Sequence, residues 1–82
     1  MKKIYESPLN GWDESAERIH IYALENNDEY FKFTRMTYRE LEEYFDMYNP
    51  SWDVRPGAIY SRYYFSITGN HVIITEIVAY NV

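Results

Sequence analysis

The side chains whose chemistry could reach beyond packing are two histidines and a few carboxylates. His20 and His71 each stand alone in an alternating stretch, with no second histidine at the spacing that sets two imidazoles on one helix face. Both therefore read as surface strand residues. Glu42 and Asp46 lie one helical turn apart and would offer two carboxylates to a cation, but nothing else in the sequence points to a metal there. Asn26-Asn27-Asp28-Glu29 shares the composition of a calcium loop without its spaced carboxylates or its closing glutamate. No Gly-x-Ser-x-Gly elbow occurs, and three glycines in all give little material for a phosphate cradle. Without a nucleophile, an acid–base pair or a metal cluster at workable spacing, the expectation is a non-enzyme that takes no cofactor.

Composition narrows the partner. Thirteen acids against eight Lys and Arg leave a net charge of -5, which opposes docking on a phosphate backbone and suits a basic partner. Tyr60, Arg62 and Tyr64 could in principle form a base-stacking platform, but the charge and the missing basic aromatic strand motif argue against direct nucleic-acid binding. Aromatic content is 20%, with ten Tyr, four Phe and two Trp. A core this small cannot satisfy ten buried phenols, so some tyrosines must be exposed, where they favour recognition. The absence of cysteine excludes disulfides and thiolate metal sites and fits a reducing compartment. No apolar run approaches the ~20 residues of a membrane span. The start of the chain meets Glu6 and Pro8 too early for a signal peptide, so a cytoplasmic protein is expected.

The elements that must position these groups begin with one helix. Thr37 and Glu40 have the spacing of a capping box, and Met36 and Leu41 that of a hydrophobic staple. Tyr38, Leu41, Tyr44, Phe45 and Tyr48 share one face, Arg39, Glu40, Glu42, Glu43 and Asp46 lie opposite, and Pro50 ends the helix at Asn49. Lys3 to Ser7 reads as a short strand, and residues 12 to 17 as a loop or one helical turn, with Trp12 a lid over the core edge. Arg18 to Leu24 and Tyr30 to Met36 both alternate around Asn26-Asn27-Asp28, which predicts a hairpin that gathers Ile19, Ile21, Phe31 and Phe33 on one face, away from His20.

Ala58 to Thr68 and His71 to Tyr80 predict a second hairpin. Gly69 at the first loop position suits a type II′ turn and pairs Thr68 with His71. The core face then carries Tyr63, Phe65, Ile67, Val72, Ile74 and Glu76, and the other carries Tyr60, Arg62, Tyr64, Ile73 and Ile77. Glu76 is the odd core-face residue; it faces Tyr63 and needs a tyrosine hydroxyl, Arg35 or the sheet margin. The whole, residues 1–82, is expected to be one α+β domain: an antiparallel sheet of four or five strands, from two hairpins, with one helix across one face.

The functional expectation is an acidic protein that occupies a basic site on a nucleic-acid-processing enzyme. Glu40, Glu42, Glu43 and Asp46 from the helix, Asp28 and Glu29 from the turn, and Asp13, Glu14 and Glu17 nearer the start would stand in for phosphates, with Tyr60 and Tyr64 as anchors. In size and composition the chain resembles phage-encoded inhibitors of host nucleic-acid enzymes, including DNA-mimicking anti-CRISPR and anti-restriction proteins, and nuclease immunity proteins. That likeness covers composition and size, with no diagnostic residue motif. The alternative is a self-associating module, a homodimer formed through Tyr60, Tyr64, Ile73 and Ile77.

Overall fold

Gly69 and Asn70 set the frame of the sheet. In the computed structural model, which describes residues 1–11, 15–50 and 55–80, Gly69 has φ 59° and Asn70 has no positive φ, as a type II′ turn requires. The turn joins β3 (Ile59–Thr68) to β4 (His71–Tyr80) in the predicted register, Thr68 opposite His71 and Ile59 opposite Tyr80. The predicted core face is the observed one: Phe65, Val72 and Ile74 are buried on it.

Two more strands, β1 (Lys2–Glu6) and β2 (Ser15–Ala23), complete a four-stranded antiparallel sheet in the order β1-β2-β4-β3. Ser15 to Glu17, expected in a loop or a helical turn, are part of β2. The position proposed for Trp12 falls outside the described residues.

The first predicted hairpin does not form. Asn27–Thr34 is a helix, α1, and β2 pairs with β1 and β4 instead. The Asn26 side chain caps α1 by accepting from the Glu29 backbone N–H at 2.9 Å. Asp28 and Glu29 add charge of the favourable sign to its first turn. Phe31 and Phe33, two residues apart, therefore point to different sides of a helix: Phe33 is 1% exposed and Phe31 50%.

The change of partner also reverses the faces of β2. Antiparallel pairing sets Tyr22 opposite Val72 and His20 opposite Ile74, both fully buried. Tyr22 and His20 thus turn toward the helices, and Ile19 and Ile21 take the other face. His20, expected at the surface, is 4% exposed.

The second helix, α2 (Tyr38–Phe45), starts as predicted. The Glu40 N–H donates to Thr37 Oγ1 at 3.2 Å and the Thr37 N–H to Glu40 Oε1 at 3.1 Å, a complete capping box. Met36 and Leu41 both belong to the core. The helix ends earlier than Asn49 because Asp46 is left-handed, φ 55° and ψ 42°, and its N–H turns back to the Glu42 and Glu43 carbonyls. Asn49 then docks on the sheet edge, its amide donating to the Tyr63 carbonyl at 2.9 Å and accepting from the Tyr63 N–H at 2.8 Å.

Both helices lie on the Phe65 face. Leu24, Phe33, Leu41, Phe65, Val72 and Ile74 form the buried cluster, with Tyr22, Phe45 and Met47 around it. The Phe45 ring stacks on Phe65 at 6.0 Å between centroids and Phe33 meets Tyr44 edge-on at 4.9 Å. The architecture is α+β in two layers, with two helices rather than one and four strands, the lower of the two expected numbers. Among the described residues no helix is long and apolar enough to cross a membrane.

Candidate functional site

Of the acidic residues expected to form one binding surface, Glu17 lies on β2, Asp13 and Glu14 fall outside the described residues, and the other six are divided between the two helices and largely engaged. Glu40 closes the α2 capping box. Glu42 is half-buried and accepts from the Asn49 N–H at 2.8 Å. Glu43 lies 3.5 Å from Arg39 Nε, one turn away along α2. Glu29 accepts from the Glu25 N–H at 2.9 Å and also binds the Met1 ammonium, whose hydrogen bond is the main cause holding its carboxyl below the ordinary glutamate range. That leaves Asp28 and Asp46, both exposed, as the two of these six carboxylates with no polar side-chain contact among the described residues.

Sequence reasoning missed a buried cluster on the helix side of the sheet. Glu6 pairs with His20 across β1 and β2, and Glu76 sits diagonally from His20 on β4. The His20 Nε2 lies 2.9 Å from Glu76 Oε1. Its Nδ1 is 3.2 Å from Glu6 Oε1 but is too poorly aligned to count as a hydrogen bond. The Arg18 guanidinium stands 3.8 Å from Glu76. Glu76 does face Tyr63 as predicted, but its partners are His20 and Arg18, not Arg35 or a tyrosine hydroxyl. Only the β2–β4 register brings them together, so no local signal could have found the cluster.

At 4% exposure the His20 imidazole presents little surface to a substrate. No group of three or more metal-ligating side chains occurs among the described residues. The cluster joins side chains of β1, β2 and β4. Its outer member links it to pH. The Lys3 ammonium donates to Glu6 and is the main cause holding that carboxyl below the ordinary glutamate range, while Lys3 itself is raised. A carboxyl lowered in the folded state adds stability above its unfolded value and loses that contribution as pH falls through its folded value. Thermal unfolding followed from neutral to strongly acidic pH should thus show an acid limb, and Lys3→Ala should make it shallower. An unchanged limb would mean that Lys3 and Glu6 are not paired in solution.

The second set of predicted residues does come together. Tyr60 and Tyr64 lie on the sheet face away from the helices, where the register sets Thr75 between Ile19 and Tyr64, Ile73 beside Ile21, and Ile77 between Glu17 and Arg62. Tyr5 continues the face on β1 beside Ile21. The Arg62 guanidinium lies over the Tyr60 ring at 5.4 Å. Tyr64 is 50% exposed and the four isoleucines are half-buried by their own neighbours in the sheet. The buried cluster and the residues packed against it include none of these side chains, since α1 and α2 both sit on the opposite face. Such a face presents rigid aromatic and branched anchors rather than reactive groups. No family model matches this chain, and no curated protein or solved structure matches it either.

Proposed function

We propose that this protein is a non-catalytic binding module that recognises a protein through the open face of its sheet. The observation that carries this reading is the uncovered surface itself: Tyr5, Ile19, Ile21, Tyr60, Tyr64, Ile73 and Ile77 share one face, and both helices lie on the other. Tyr5 and Tyr64, at 51% and 50% exposure, give that face the large aromatic side chains that recognition surfaces favour. The overall dimensions agree. The radius of gyration is 14.1 Å and the extents are 44 × 26 × 16 Å, whereas a compact chain of this length has a radius of about 12 Å. The described residues form a thin slab in which one face of the sheet carries no helix.

A second reading is supported by the exposure of Asp28, Glu40, Glu43 and Asp46 on the helical layer. In it the acidic side docks on a basic nucleic-acid enzyme as an inhibitor, with carboxylates in place of phosphates. One experiment separates the two. A photo-reactive phenylalanine analogue is placed at Tyr64 or at Glu43 and irradiated in the cells that express the protein. The first reading expects discrete adducts from position 64 and few from position 43. Adducts confined to position 43 in the cells, and formed there in a lysate irradiated at low salt but lost near ~0.5 M as screening shortens, would replace it with the second.

A further inference from the structure

Resting on the proposed use of the open sheet face, we propose that its occupant is a second copy of this chain, related by a two-fold axis running along β4. The register decides the geometry. Glu17 on β2, Ile77 on β4 and Arg62 on β3 form one row across the face, with opposite charges on its two sides. Neither charge has an ion-pair partner on its own chain among the described residues. An axis along β4 exchanges the β2 side of one copy with the β3 side of the other and leaves height along the strands unchanged. Each Glu17 is then set over Arg62 of the other copy, twice per dimer, while Ile77 and Ile73 meet their own counterparts at the centre. Two residues further along the strands, Ile19 faces Tyr64 of the other copy. The surface is thus complementary to itself in charge and in shape, as a two-fold interface requires.

The competing axis, across the strands, lays β2 on β2 and β3 on β3, so no carboxylate meets a guanidinium. Sheet twist does not spoil the match. Aligned sheets pack ~10 Å apart and ~30° from parallel. One strand away from the crossing point, that rotation displaces a residue by only ~2 Å, within the reach of Glu and Arg side chains.

The area suits a modest interface. Strands of nine and ten residues, rising ~3.3 Å per residue and spaced ~4.8 Å apart, give a flat footprint of roughly 450 Å² per copy over β2, β4 and β3, the strands that the axis along β4 superposes. Two copies reach about 900 Å² before side-chain relief is counted, close to the ~1,000 Å² that a specific interface should clear. The product is a four-layer sandwich with helices outside and both sheets inside.

Sedimentation equilibrium of the full chain tests this. The expected result is a species of twice the 10.0 kDa monomer mass. Glu17→Arg alone and Arg62→Glu alone should each weaken dimerisation by at least ~10-fold, since each places like charges face to face. The double exchange, Glu17→Arg with Arg62→Glu, should restore most of it, with circular dichroism showing all three variants folded. A chain that stays monomeric up to ~1 mM overturns the proposal, and so does a dimer indifferent to both single changes. A double exchange no better than the singles overturns the axis along β4. A monomeric chain whose Tyr64 probe still captures another protein would retain the open face as the binding surface and reject self-association alone. A probe at Tyr64 that captures nothing would reject both.

Discussion

Phe33→Ala should lower the stability of this protein by about 3–5 kcal/mol, the range for removing a fully buried phenyl ring. Phe33 is 1% exposed and lies against the rings of Tyr44 and Phe45, at 4.9 and 6.2 Å between centroids. It is the buried residue of α1, and its ring joins that helix to α2. Truncation would leave a cavity bordered by Tyr44 and Phe45 of α2. A chain of this length has a total stability of about 4–12 kcal/mol, so the loss takes a large fraction of it and lowers the melting temperature by roughly 15 °C or more. Phe31→Ala, two residues earlier and half exposed, should cost under ~1 kcal/mol. Thermal unfolding of the pair measures the difference directly. Equal effects at both positions would contradict a helix at Asn27–Thr34 and favour the alternating strand that the sequence pattern suggested.

Asn49→Ala should cost about 2–3 kcal/mol, because one side chain satisfies two backbone groups of the edge strand. Its amide donates to the Tyr63 carbonyl and accepts from the Tyr63 N–H at 2.9 and 2.8 Å, taking the place that a neighbouring strand would fill. Asn49→Asp should lose nearly as much, since it keeps the acceptor but sets a carboxylate oxygen against the Tyr63 carbonyl. The local consequence is specific: the Tyr63 amide should exchange with solvent faster in both variants, while Tyr64 and Ile74, bonded inside the sheet, change only with global stability. Loss of the amide bridge also uncovers a strand edge, so the variants should aggregate more readily at high concentration. A Tyr63 amide whose exchange is unchanged in Asn49→Ala would show that the contact does not persist in solution.

The two substitutions bear on function through the same slab. Phe33 and Asn49 secure the helical layer and the outer edge, so the open face is held flat by contacts made behind it. Changes to Tyr64 or Ile77 act on the exposed side and should affect partner binding far more than folding.

How much of this was legible from the residues depended on the range of the information. The start of α2 was readable because the Thr37–Glu40 cap and the Met36–Leu41 staple are complete within six residues. The β3–β4 register was readable because a two-residue turn with Gly69 first leaves only one pairing. In turn, that register correctly assigned Phe65, Val72 and Ile74 to the core and Tyr60 and Tyr64 to the other face. α1 was misread although Asn26 and Glu29 already carried its cap; the alternation of Phe31 and Phe33 resembled a strand because aromatic residues at a spacing of two satisfy that pattern whatever the backbone does. The partner of β2 was not readable at all. Nothing near Arg18 to Leu24 specifies whether it pairs with the segment that follows or with a strand some fifty residues away, and a shift of partner reverses every side chain. The choice was made by long-range terms: Tyr22 and His20 complete the layer over Val72 and Ile74, His20 and Arg18 satisfy Glu76, and the isoleucines left over become the open face. Local hydrogen bonding therefore specified α2 and the second hairpin, whereas burial and charge pairing across the sheet determined its order, the cluster around His20 and the face that is free to bind.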